Sequence, residues 1–160
     1  MPAEGADLDV AARAHQEEIA RITGVPADGA PPRLDLVLLG MGPDAHTASL
    51  FPGTPALGER ERWVVPNRAT VEPIDRLTFT FPMLDAAQHL LLLVAGASKA
   101  APLAEVLEGK PDPTRLPCQG LPRDSRVLWL LDQAAASRLT LDLPILGYCC
   151  RPVAATRRPR

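Results

Sequence analysis

Leu34-Asp35-Leu36-Val37-Leu38-Leu39-Gly40-Met41-Gly42-Pro43-Asp44-Ala45-His46-Thr47-Ala48-Ser49-Leu50-Phe51-Pro52-Gly53 is the stretch that decides how this chain is read. Its first six residues form a nearly continuous apolar run, the pattern of a strand buried on both faces of a parallel sheet. The run ends at Gly40, and open parallel sheets bind their ligands beyond the carboxyl ends of strands. Gly40 and Gly42 allow close backbone approach and unusual dihedral angles there. Asp44 and His46 then supply a carboxylate and an imidazole two residues apart. They can share a loop rim, with the acid orienting or charging the ring.

Working outward, the spacing of Val10, Ala14, Ile19 and Ile22 predicts a helix over Leu8 to Ile22, broken by Gly24 and Pro26. Downstream, Arg62 to Val65 reads as a short strand and Arg76 to Phe81 alternates with period two. Pro82 opens a short helical segment, Met83 to Gln88, at a position that tolerates proline. His89 to Ala95 is a second fully apolar strand, and it runs through Gly96 into a helix over Ser98 to Leu107 that stops at Gly109 and Pro111. A third strand, Arg126 to Leu131, precedes a final helix over Gln133 to Leu139. This alternation predicts an α/β fold with a mostly parallel sheet flanked by helices.

Composition bounds the function. The chain has 160 residues, enough for one domain, with 17 basic and 19 acidic side chains and a formal net charge of −2. No basic field is available for wrapping nucleic acid, and a 4% aromatic content argues against base-stacking platforms. The 18 prolines, about twice the common share, favour short elements. Cys118, Cys149 and Cys150 make no disulfide framework, and His15, His46 and His89 are too scattered for a zinc site. No apolar run is long enough to cross a bilayer, so neither membrane nor nucleic acid is an expected partner and a reducing cytoplasm is the expected compartment. Arg151 to Arg160 holds four arginines and no acid; residues 141–160 are expected to be a disordered basic tail behind a domain over residues 1–140.

Gly40-x-Gly42-x-x-Ala45 formally matches the dinucleotide fingerprint. That fingerprint needs a full crossover helix next and an acid about 20 residues on. Here Pro52-Gly53 stops any helix within two turns, and no Gly-Lys-[Ser/Thr] follows to make a P-loop.

Gly40 to Gly53 instead resembles the signature of 6-phosphogluconolactonases, within the glucosamine-6-phosphate isomerase/6-phosphogluconolactonase family. That signature reads G-M-G-P-D-G-H-T-A-S-L-F-P-G, and this chain departs from it only at Ala45. Arg76 to Asp85, Val94 to Lys99 and Val127 to Ala135 are similar to further family segments, so the resemblance covers about residues 8–139. The Ser-Leu-Phe-Pro ending favours lactonases over the deaminase branch, where Ala-Phe-Asn-Glu-Pro is expected.

The resemblance implies hydrolysis of 6-phospho-glucono-1,5-lactone to 6-phosphogluconate, in the oxidative pentose phosphate route, with no metal or organic cofactor. It makes His46 the general base and Asp44 the group that holds its imidazole. Lys99, in the first turn after a strand, becomes a phosphate contact beside free backbone N–H groups. Arg76 becomes a second positive contact, and Gly40 and Gly42 line the substrate loop. It also implies that the chain corresponds to a C-terminal portion, since the family's upstream strand–helix units, Ser-Gly-Gly-Ser type phosphate loop and Asp-Glu-Arg segment have no counterpart here. A non-catalytic remnant, a subunit completed by a separate polypeptide, and a deaminase-type isomerase are the competing expectations.

Overall fold

The computed structural model describes residues 7–140 apart from 70, 71 and 73. The expected basic tail lies outside them. Helix α1 (Leu8–Thr23) starts where the Asp7 carboxylate accepts the Asp9 N–H at 2.9 Å, and it ends at Gly24, whose φ of 73° permits the left-handed cap. The helix forms as expected, but its inward face differs from the predicted stripe. Val10 and Ile22 are exposed, while Ala12, Ala20 and the partly buried Ile19 face inward. Between them Gln16 reaches in: its side-chain oxygen accepts the Trp63 and Val64 N–H groups at 2.8 and 3.2 Å, and its amide donates to the Ala27 carbonyl at 2.7 Å. Small alanines let the helix approach closely enough for that polar clasp, which a large apolar stripe would prevent.

Three parallel strands form the main sheet: β1 (Val37–Gly40), then, further along the chain, β4 (Leu90–Val94) and β5 (Val127–Leu131), in the spatial order β1-β4-β5. Register sets Gly40 beside Leu93 and Leu93 beside Leu130. Helix α3 (Ala100–Glu108) packs Leu103 and Val106 against Val37, Leu39, Leu90, Leu92 and Val94. The opposite face carries Leu36, Leu38, Leu93, Leu128 and Leu130, all exposed. β1 is therefore buried on one face among the described residues, not on both as its apolar run predicts. The α/β architecture with a parallel sheet and flanking helix is as expected.

Between β1 and β4 the chain makes an antiparallel ribbon of β2 (Val64–Arg68) and β3 (Asp75–Phe79). Alternation gives it two unlike faces. Val64, Leu77 and Phe79 join the cluster under α1, while Val65, Asn67 and Thr78 turn toward the loop after β1. At the ribbon's entry the Glu59 carboxylate accepts three successive backbone N–H groups and the Arg62 guanidinium. Burial alone would raise its pKa, but those bonds win and hold it down to about 2. A short α2 (Phe81–Asp85) follows β3. The expected final helix is a single 3₁₀ turn, Ala135–Arg138, whose buried Ala135 packs on the main core. No helix of the described residues is long and apolar enough to cross a membrane.

Candidate active site

The loop after β1 is held by its own backbone. Gly42 N–H donates to the His46 carbonyl at 2.8 Å, Ala45 N–H to the Gly42 carbonyl at 3.1 Å, and the buried Thr47 hydroxyl to the Gly40 carbonyl at 2.9 Å. These bonds close a tight turn that presents residues 43–46. Ala45 has φ 60° and Ala48 φ 49°, so two alanines adopt the left-handed conformation that usually selects glycine. An alanine at position 45 therefore carries backbone strain. Buried Met41, Ala45 and Leu50 root the loop in the main core. Cys118 N–H donates to the Ala45 carbonyl at 3.0 Å from beneath, while the ribbon grips Ser49 through the Thr78 hydroxyl at 3.1 Å and the Asn67 amide at 2.7 Å.

On this seat Asp44 and His46 meet. Asp44 Oδ1 lies 2.6 Å from His46 Nδ1 and also accepts the His46 backbone N–H at 3.2 Å. Burial works to raise the Asp44 carboxyl, but the bonds from the His46 ring and N–H outweigh it and hold it below the usual carboxylate range. An ionised carboxylate only accepts, so Nδ1 carries the proton, and in the neutral ring the lone pair then falls on Nε2. The ring packs on Phe51, centroids 4.5 Å apart at 46°, with 28% of the side chain exposed. It is neither buried inward nor free in solvent. Gly42 has a definite reason to be glycine: an added Cβ would lie 2.0 Å from Nδ1 and 2.7 Å from Asp44 Oδ1. Gly40 ends β1 on the sheet's exposed face.

Lys99 emerges at the same end of the sheet. β4 lies beside β1 and ends at Val94; Gly96, with φ 97°, turns the chain into the 3₁₀ turn Ala97–Lys99, which leads into α3. The expected helix start over Ser98 and Lys99 is thus this tighter turn. Lys99 is half-buried and forms no ion pair with any described residue. Arg76 lies on β3 opposite Asn67 and two residues from Thr78, hence on the ribbon face that holds the loop. Asp44, His46 and Gly42 thus come into one cluster; Lys99 and Arg76 stand on separate elements that flank it.

Sequence reasoning overlooked three contributors. Phe51 and Thr47 belong to the quoted motif, which marked their position but not the ring contact or the clasp on Gly40. Cys118 was legible only as a count; burial pushes its thiol up to about 12, so the S–H stays protonated and donates to the His46 carbonyl at 3.8 Å while the Cys118 N–H holds Ala45.

Comparison with known proteins bears on this geometry. The family described as glucosamine-6-phosphate isomerases/6-phosphogluconolactonase matches residues 1–129. A 6-phosphogluconolactonase of Synechocystis is 41% identical over 139 residues, which is 87% of this chain and 57% of that protein. The solved 6-phosphogluconolactonase of Trypanosoma cruzi superposes with a TM-score of 0.72 at 30% identity, covering 84% of this chain and 53% of its own. A monomeric glucosamine-6-phosphate deaminase superposes with a TM-score of 0.63 at 26% identity, covering 85% of this chain and 57% of its own. The chain spans about half the length of the relatives it matches.

Proposed function

The chain belongs to the glucosamine-6-phosphate isomerase/6-phosphogluconolactonase family, and from that premise we propose that its loop after β1 hydrolyses 6-phospho-glucono-1,5-lactone to 6-phosphogluconate. The observation that carries this reading is the 2.6 Å contact between Asp44 and His46 Nδ1 on a hydrogen-bonded, core-rooted turn. With Nδ1–H given to Asp44, Nε2 is the free base. A water placed between Nε2 and the lactone carbonyl loses a proton to Nε2 as its oxygen attacks C1. Asp44 stabilises the imidazolium that results. Collapse of the tetrahedral intermediate breaks the bond from C1 to the ring oxygen, which takes the proton back from Nε2. Lys99 and the first-turn N–H groups before α3 hold the phosphate. Arg76 adds a second positive contact, to phosphate or to the developing oxyanion. The odd count of three cysteines, with Cys118 a free thiol, supports a cytoplasmic setting.

The test is lactone hydrolysis by the purified chain beside a His46→Ala variant. The variant is expected to lose about 10²-fold or more in kcat, the usual share of a general base. Equal rates would remove His46 from the mechanism, and ammonia release from glucosamine-6-phosphate would move the reading to the deaminase branch. The exposed leucines of the main sheet favour a second reading, a subunit that reaches full activity when another polypeptide covers them. An inactive chain that gains lactonase activity on adding such a polypeptide would select it.

A further inference from the structure

Asp132 follows β5, whose carboxyl end lies beside that of β4. Its N–H extends the ladder to the Val94 carbonyl at 3.3 Å, so its backbone is fixed against the strand that leads to Lys99. The side chain then forks. Both carboxylate oxygens accept the Gly96 N–H, at 3.1 and 3.0 Å, and Oδ1 also accepts the Ala135 N–H at 2.7 Å. Among the described residues no cation pairs with it. A carboxylate that makes no ion pair and binds the N–H groups of two separate turns acts as a brace between them.

What it braces is the least constrained point of the path to Lys99. Gly96 sits at φ 97° and ψ 147°, a conformation open to glycine and costly for other residues. A glycine that reaches this conformation without a tether would sample many others. Holding its N–H sets the plane of the Ala95–Gly96 peptide, and with it the direction in which Ala97 and Ser98 present their N–H groups and in which Lys99, whose own N–H donates to the Gly96 carbonyl at 3.0 Å, sends its stem. The first N–H groups of a helical segment have no acceptor within it, so their aim decides whether they converge on a ligand.

We propose that Asp132 is the positioning residue for the phosphate of the substrate, acting through Gly96 on the Ala97–Lys99 turn. The proposal rests on the reading of that turn as the phosphate seat. It also makes an unusual demand. Asp132 carries a negative charge near a site for an anion, so by charge alone its removal would tighten phosphate binding. As a brace, its removal weakens binding.

The experiment is titration of inorganic phosphate into the isotope-labelled chain, following the amides of residues 96–99, for wild type, Asp132→Ala and Asp132→Asn. Lactone kinetics accompany it. Wild type should show saturable shifts at 97–99. Both variants should bind phosphate more weakly, Asp132→Ala by about tenfold, as expected on losing hydrogen bonds to a charged group. KM for the phosphorylated lactone should rise in parallel, with kcat within about twofold and hydrolysis of unphosphorylated gluconolactone unchanged. Should Asp132→Ala fail to fold, Asp132→Asn, which keeps one acceptor oxygen, decides the matter. Unchanged or tighter phosphate binding in a folded variant overturns the positioning role. Absence of any shift in wild type instead overturns the phosphate seat itself.

Discussion

The two faces of the three-stranded sheet are built from the same side chains and meet opposite fates. On one, Leu39, Leu90, Leu92 and Val94 lie under α3, Leu116, Cys118 and Leu121, and the loop after β1 sends Met41, Ala45 and Leu50 into the same core. On the other, Leu38 is 62% exposed, Leu93 54% and Leu128 42%, with nothing from the described residues laid across them. Adjacent residues of one strand, Leu92 and Leu93, therefore differ in burial by as much as the fold allows. The loop after β1 is held by the covered core and by the β2–β3 ribbon, so the geometry at His46 depends on those packed parts of the molecule. Leucine content says which positions suit a buried layer; which layer is supplied is a property of the tertiary fold.

The largest effect that tests this contrast is on stability. Leu92→Ala removes a fully buried side chain and is expected to cost about 2–5 kcal/mol. Leu93→Ala, one residue on, should cost less than about 0.5 kcal/mol, since little buried area is lost. Urea midpoints at constant m-value measure both. Equal losses would mean that the exposed leucines are covered in solution, and the contrast between the faces would fall.

The same contrast explains how far the sequence could be read. β1, β4 and β5 were legible because apolar runs ending in glycine or an acid are locally encoded, and Gly40 to Gly53 because a long ordered motif leaves few alternatives. The inward face of α1 was not legible. Val10 and Ile22 outweigh Ala12 and Ala20 in any periodicity, yet the pair of alanines is what lets Gln16 clasp Trp63 and Val64, a contact 47 residues away. The pairing of β2 with β3 was likewise hidden by Pro66, which sits within β2 in a two-stranded ribbon. Asp44, His46 and Gly42 were found in sequence because they are neighbours in it. Asp132 was not, since its partner Gly96 is 36 residues distant and only the parallel register brings them together.

The next effect is smaller in energy and confined to the loop. Gly42→Ala places a methyl where the His46 ring lies, 2.0 Å from Nδ1. The ring must leave Asp44 or Phe51, and hydrolysis should fall toward the level of His46→Ala while the unfolding free energy read from urea titration falls by about 1 kcal/mol or less, because the clash falls on a partly exposed ring that can swing outward. Activity retained at the wild-type level would show that the Asp44–His46 geometry is not the working one. A stability loss approaching that of Leu92→Ala would show that the loop is part of the covered core and not merely rooted in it.

The smallest effect reproduces the contrast between the faces within four residues. Ala45 and Ala48 share a left-handed backbone, at φ 60° and 49°, but Ala45 is wholly buried and Ala48 exposed. Replacing either by glycine relieves about 1 kcal/mol of backbone strain and returns a similar amount as unfolded-chain entropy. Those terms are common to both sites and cancel on comparison. What remains is the Ala45 methyl, whose burial is worth about 0.8 kcal/mol. Ala48→Gly should therefore leave the chain more stable than Ala45→Gly by about that amount, a difference measurable by paired denaturant titrations. Near-equal stabilities would mean that the methyl at position 45 gains nothing from the core beneath it. The departure from the family's glycine would then be backbone strain alone, with no packing to offset it beside His46.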